Sequence, residues 1–124
     1  MVAALTLDFC EVSIYDDHIV VVVNEGELVT PDSNSYLKEI ASQYFPNRLF
    51  GYISLRKHQY SVDPSTYLDT SKIENIVAFA VVSHEGIGIN NVEVEKRFFT
   101  KPFKHFLKLS DARSWLRELT SITS

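Results

Sequence analysis

The sequence predicts an α/β domain: one mixed, mostly parallel sheet that opens with a β-hairpin and is covered by helices. Three observations point there. Ile19–Val23 and Ile76–Val82 are apolar runs rich in β-branched residues without polar alternation, as in strands buried on both faces. Segments of helical periodicity stand between strand-like segments, which is the alternation a parallel sheet with crossover helices requires. The chain has 124 residues, 45% hydrophobic and 12% aromatic, enough for one core and too apolar for a disordered chain.

Leu5–Tyr15 alternates imperfectly between apolar and polar residues, as a half-exposed strand does. Asp16-Asp17 marks a turn, and His18–Asn24 follows as a buried strand, so the two together predict an antiparallel hairpin. Thr30 can cap a helix, Pro31 suits its first position and Asp32 suits the positive end of its dipole. Tyr36, Leu37, Ile40, Ala41, Tyr44 and Phe45 then share one helical face, and Pro46-Asn47 ends it. Leu49–Leu55 is a third strand, and Asp63-Pro64 starts a less regular helix running to about Asn75.

Ile76–Val82 is the next buried strand, broken by His84-Glu85-Gly86. Asn91–Phe99 reads as a helix, although Val92, Val94 and Phe98 also tolerate a strand. Phe103–Leu109 alternates as a short strand, with Phe103, His105 and Leu107 on one side and Phe106 on the other. Ser110-Asp111 caps a last helix whose stripe is Ala112, Trp115, Leu116, Leu119 and Ile122, and Trp115 is expected to be largely buried. The order is β-β-α-β-α-β-α-β-α, a single domain over residues 1–124 with no repeat, low-complexity segment or linker.

The formal charge of −4 argues against unspecific binding to nucleic acid or anionic lipid, since both require a basic face. Lys101, Lys104, His105 and Lys108 are the nearest approach to a basic patch, and in a strand their spacing gives a solvated edge. The single cysteine, Cys10, excludes an internal disulfide and sits between Phe9 and Val12 as a small core residue would. Met1–Leu7 lacks the basic start and apolar stretch of a secretory signal, and Ile19–Val23 is too short to span a bilayer, so a cytoplasmic location is expected.

His18, His58, His84 and His105 do not pair with each other or with Cys10 at ligand spacing. Gly86-Ile87-Gly88 is too short to cradle a phosphate, and no Gly-x-Ser-x-Gly elbow occurs. No metal, cofactor or catalytic set is expected. The segment singled out is Tyr60–Tyr67, which leaves the carboxyl end of a parallel strand and opens a helix, where open α/β sheets engage ligands and partners. Ser61, Asp63, Ser65 and Thr66 are its candidate residues. Amide groups of a first helical turn accept anions, and a phosphate on Ser65 or Thr66 would sit favourably there; the same residues also simply favour helix starts.

The chain resembles the SpoIIAA-like group of the STAS (sulfate transporter and anti-sigma-factor antagonist) superfamily, whose fold also resembles CRAL-TRIO lipid-binding domains. The resemblance rests on the element order, on Phe50-Gly51-Tyr52-Ile53-Ser54-Leu55 followed by Asp63-Pro64-Ser65, and on the ending Phe106–Leu116. In STAS antagonists the corresponding loop reads approximately Asp-Ser-Ser-Gly-Leu-Gly, and its second serine is phosphorylated by a partner kinase. The resemblance places Asp63 on the aspartate and Ser65 on that serine. Pro64 replaces the first serine, and Thr66-Tyr67-Leu68 replaces the glycine-bearing end. It implies a non-enzymatic regulatory domain that binds a protein partner. The alternative is a carrier of a small apolar ligand or lipid, with Tyr52, Tyr60, Tyr67, Phe79, Phe98 and Phe99 lining a pocket. Homodimerisation stays open.

Overall fold

The computed structural model describes residues 1–83 and 94–123. A six-stranded sheet carries the fold, in the order β1 (Ala3–Thr6), β2 (Cys10–Ile14), β3 (His18–Val23), β5 (Phe50–Leu55), β7 (Ile76–Val82), β8 (Phe103–Phe106). The first two junctions are antiparallel, and β3–β5, β5–β7 and β7–β8 are parallel. A second, two-stranded parallel sheet pairs β4 (Leu28–Val29) with β6 (Ser61–Val62). The helices are α1 (Tyr36–Tyr44), α2 (Ser65–Ser71) and α3 (Leu109–Thr123), and residues 94–96 are also helical.

Both valine-rich runs lie where their composition requires. β3 is flanked by β2 and β5, and β7 by β5 and β8. Their side chains alternate between two cores. On one face Ile19, Val21, Phe79 and Val81 meet Leu37, Ile40 and Ala41 of α1, Tyr67 of α2, and Phe99. On the other, Val20, Ala78, Ala80 and Val82 meet Ala112 and Leu116 of α3. Alanine on that second face lets the helix lie close. Gly51 takes this furthest: a Cβ there would stand 2.5 Å from a methyl of Leu116.

The structure departs from the sequence reading at several boundaries. Leu5–Tyr15 is two strands rather than one, because the chain reverses at residues 7–9, where Leu7 N–H donates to Cys10 O. The first helix begins later than Pro31. Thr30 and Ser33 satisfy each other's backbone and hydroxyl groups, and a single 3-10 turn, Ser33–Ser35, precedes α1. The second helix ends at Ser71 rather than near Asn75, where Lys72 and Ile73 close with short turn bonds. The stripe of α3 lies as expected: Ala112 and Leu116 are buried, and Trp115, half-buried, and Leu119 pack against the same core, Trp115 on Phe106. His84-Glu85, Gly86-Ile87-Gly88 and the first part of the helix expected over Asn91–Phe99 lie outside the described residues.

Candidate functional site at the carboxyl end of the parallel strands

β5 is the central parallel strand, and the chain leaves it through Arg56, whose backbone N–H donates to Val82 O at the end of β7. The Arg56 side chain turns inward. It is 5% exposed and pairs at 2.8 Å with Glu95, itself 8% exposed, from the helical stretch after β7. Its other donors go to Tyr67 Oη at 3.1 Å and Ser54 Oγ at 3.4 Å. Tyr60 lies face-on, 5.7 Å from the guanidinium carbon, and shares a 3.0 Å hydroxyl bond with Ser54. The site therefore gathers residues from β5, the following loop, α2 and the 94–96 helix around one buried cation.

Burial pulls the Arg56 guanidinium down, but Tyr60, Tyr67 and Glu95 outweigh it and hold it above its ordinary value. Burial pushes the hydroxyls of Tyr36, Tyr52 and Tyr67 up, so all three stay protonated. Tyr36 and Tyr52 meet hydroxyl to hydroxyl at 3.4 Å beside the network. A cavity of about 20 Å³ lies between these groups, lined among others by Tyr36, Tyr52, Ser54, Tyr60, Thr66 and Thr70. That is room for about one water molecule. Pockets for drug-sized ligands run to roughly 300 Å³ or more, so an acyl chain does not fit here.

The four residues expected in the adjoining segment are placed differently from one another. Ser61, Asp63 and Ser65 are exposed. Asp63 Oδ1 accepts from both the Ser65 N–H (3.1 Å) and the Ser65 hydroxyl (2.9 Å), an Asx-type turn that leads into α2. The anion expected at this helix start is thus the chain's own carboxylate, and α2 has only seven residues. Thr66 is buried, with its hydroxyl directed to Val29 O. Of the two hydroxyls considered for phosphate, Ser65 alone is accessible. Tyr67, two residues on, ties this turn to Arg56.

Sequence reasoning named the turn and missed the ion pair beside it. A charged residue closing the apolar run Phe50–Leu55 was a readable signal for Arg56. Glu95 had none, since Glu93 and Glu95 look equivalent in Val92-Glu93-Val94-Glu95. The residues nearest to a basic patch in the sequence do not act together. Lys101 Nζ donates to Ile73 O and Ile76 O, Lys104 lies over Phe106, and His105 bonds to Ser83. Burial pushes the Cys10 thiol up to about 11, which leaves it unreactive at neutral pH. Among the described residues no group of three His, Cys, Asp or Glu could hold a metal ion, and no helix is long and apolar enough to cross a membrane.

The architecture is shared with a solved protein. An uncharacterised member of the DUF3478 family from Shewanella loihica PV-4, described as having a SpoIIAA-like fold, superposes with a TM-score of 0.51 at 12% identity. The match covers 86% of this chain and 91% of that one. The fold is SpoIIAA-like. At that identity the likeness concerns the fold alone. No known family profile and no curated protein matches the sequence. Within the SpoIIAA-like frame the Arg56 network and the Asp63–Ser65 turn both lie beyond the carboxyl ends of parallel strands, the end at which open α/β sheets generally engage ligands.

Proposed function

We propose that this chain is a non-enzymatic regulatory domain that binds a protein partner, with the Ser61–Ser65 segment on its docking face. The observation that carries the reading is the Ser65 hydroxyl: exposed, oriented by Asp63, and at the carboxyl end of the sheet. A phosphate there would add about −1.5 to −2 charge beside an existing carboxylate. Two anions so close repel, so modification would change the surface and its partners more than the fold. The single-water cavity favours this reading over the carrier of an apolar ligand. The hydroxyls of Ser54, Tyr60 and Tyr67 are engaged with one another and with Arg56, which favours it over an enzyme.

The test compares wild type, Ser65→Ala and Ser65→Asp. All three are expected to melt within about 1 kcal/mol of one another, as surface changes usually do. Ser65→Asp is expected to lose a partner, identified by mass spectrometry of the native complex, that Ser65→Ala keeps. Identical complexes from all three would remove the phospho-switch.

A further inference from the structure

We infer that Glu95 is a built-in occupant of a carboxylate-binding site centred on Arg56, and that an acidic peptide segment of a partner takes its place. The inference rests on the reading of this chain as an interaction domain and names the chemistry of what it docks. The pocket already holds a carboxylate by charge: Glu95 Oε2 stands 2.8 Å from Arg56 but makes no directed hydrogen bond, which leaves its acceptor capacity unmet. The guanidinium is fixed before any ligand arrives: Tyr67, Ser54 and the Tyr60 ring hold it from other sides. Arginine held this way offers its remaining donors in the fork geometry that carboxylates match.

Glu95 is the replaceable member of the pair. Arg56 directly follows the central strand and is held by three neighbours, whereas Glu95 lies between exposed Val94 and exposed Lys96. Val94 keeps nearly half its surface in water. A buried ion pair repays little beyond its desolvation, while a lone buried cation is costly. Exchanging one carboxylate for another therefore costs far less than removing Glu95 alone. The surroundings favour an anionic visitor. Lys57 and His58 follow Arg56, Lys96 and Arg97 follow Glu95, and all four are exposed. A chain of net charge −4 thus places exposed basic residues next in sequence to both members of the Arg56–Glu95 pair. Such residues steer acidic segments and make their binding salt-dependent.

The test titrates the whole chain with a fluorescein-labelled hexaglutamate peptide, with hexalysine as control. Wild type is expected to bind hexaglutamate and ignore hexalysine. Glu95→Ala removes the internal competitor and is expected to bind at least tenfold tighter. Arg56→Met in the Glu95→Ala background is expected to abolish that gain. Lys57→Glu and Lys96→Glu, both surface changes, are each expected to weaken wild-type binding severalfold. Should Glu95→Ala fail to fold, these two variants decide: unchanged affinity overturns the proposal. Acetate, compared with chloride at equal ionic strength, separates the sources of the carboxylate. Stabilisation of Glu95→Ala by acetate, with peptide affinity indifferent to Lys57 and Lys96, would make the ligand a small free carboxylate and overturn the peptide. Failure of hexaglutamate with Ser65-dependent capture intact defeats this inference alone; Ser65-independent capture with hexaglutamate binding intact defeats only the phospho-switch.

Discussion

Arg113 donates through Nε to Nε2 of His18 at 3.2 Å, while Nδ1 of the same ring stands 2.6 Å from Asp17 Oδ1. With Nε2 accepting, the ring is neutral and its proton is on Nδ1, shared with Asp17. Tyr15 stacks on the ring at 4.6 Å, and Arg113 lies over the Tyr15 face. The cluster ties α3 to the start of β3 at the end of the sheet opposite Arg56.

A pH dependence follows from this tautomer. Burial lowers the His18 value, Asp17 raises it, and Arg113 and Arg117 lower it again, for a net lowering. The folded state therefore binds fewer protons than the unfolded one between the folded value and the unfolded value of about 6.5. Stability from this site is fully present above the unfolded value and is lost as pH falls through the folded one. Urea midpoints measured from pH 8 down to pH 5 should fall in wild type. His18→Gln keeps an acceptor for Arg113 but cannot titrate, so its curve should lack that component. Parallel curves for the two proteins would mean the cluster does not titrate as described.

Gly51 meets Leu116 where the sheet and α3 pack, and glycine is needed there for space rather than for backbone freedom. Leu116 is 1% exposed, so its side chain has little room to yield. Gly51→Ala should cost about 1–3 kcal/mol, as overpacking does. Leu116→Ala alone should cost about 2–5 kcal/mol through the cavity it leaves. The double variant is expected to be less destabilised than the sum, because the new methyl fills part of that cavity. Coupling of about 0.5–3 kcal/mol is usual for residues in contact. Chemical denaturation of the four proteins measures it, and strict additivity would contradict the contact.

Val21 and Ala80 occupy the interiors of β3 and β7, at 1% and 0% exposure, and face opposite cores. A carboxylate at either position would be buried without a partner, a cost too large for a domain of ordinary stability. Val21→Asp and Ala80→Asp should each abolish cooperative unfolding and amide protection at neutral pH. A sharp thermal transition in either would show that the strand is not interior.

What the sequence made legible was whatever depends on local pattern. Ile19–Val23 and Ile76–Val82 announced interior strands because burial on both faces removes polar alternation. The α1 stripe was legible through the spacing of Leu37, Ile40 and Ala41. The two-stranded sheet was not, since Leu28–Val29 and Ser61–Val62 carry no pattern and are strands only because they meet. The α3 stripe was legible as a face but not its centre, which lies at Leu116, where the sheet presents Ala78, Ala80 and Gly51, with Trp115 at the margin beside Phe106. In the site, Asp63 and Ser65 were legible through turn chemistry. Arg56–Glu95 joins residues far apart in sequence, and nothing local encodes such a pair.

Asp63 and Ser65 supply the last prediction, which separates the turn's structural role from its proposed regulatory one. Asp63 Oδ1 accepts two hydrogen bonds from Ser65, one from the amide and one from the hydroxyl. Removing the carboxylate leaves a helix-start N–H to water, so Asp63→Ala should cost about 0.5–2 kcal/mol, the range of a lost cap. Ser65→Ala loses only the hydroxyl bond at an exposed site and should change stability by less than about 1 kcal/mol. Asp63→Asn keeps an acceptor oxygen and removes the charge, so it should hold most of the wild-type stability. It should also ease the repulsion that a negative group at position 65 would meet. Ser65→Asp is accordingly expected to be better tolerated in an Asp63→Asn background than in wild type. Thermal melts of the single and double variants measure this, and an equal penalty for Ser65→Asp in both backgrounds would show that the two groups do not sense each other's charge.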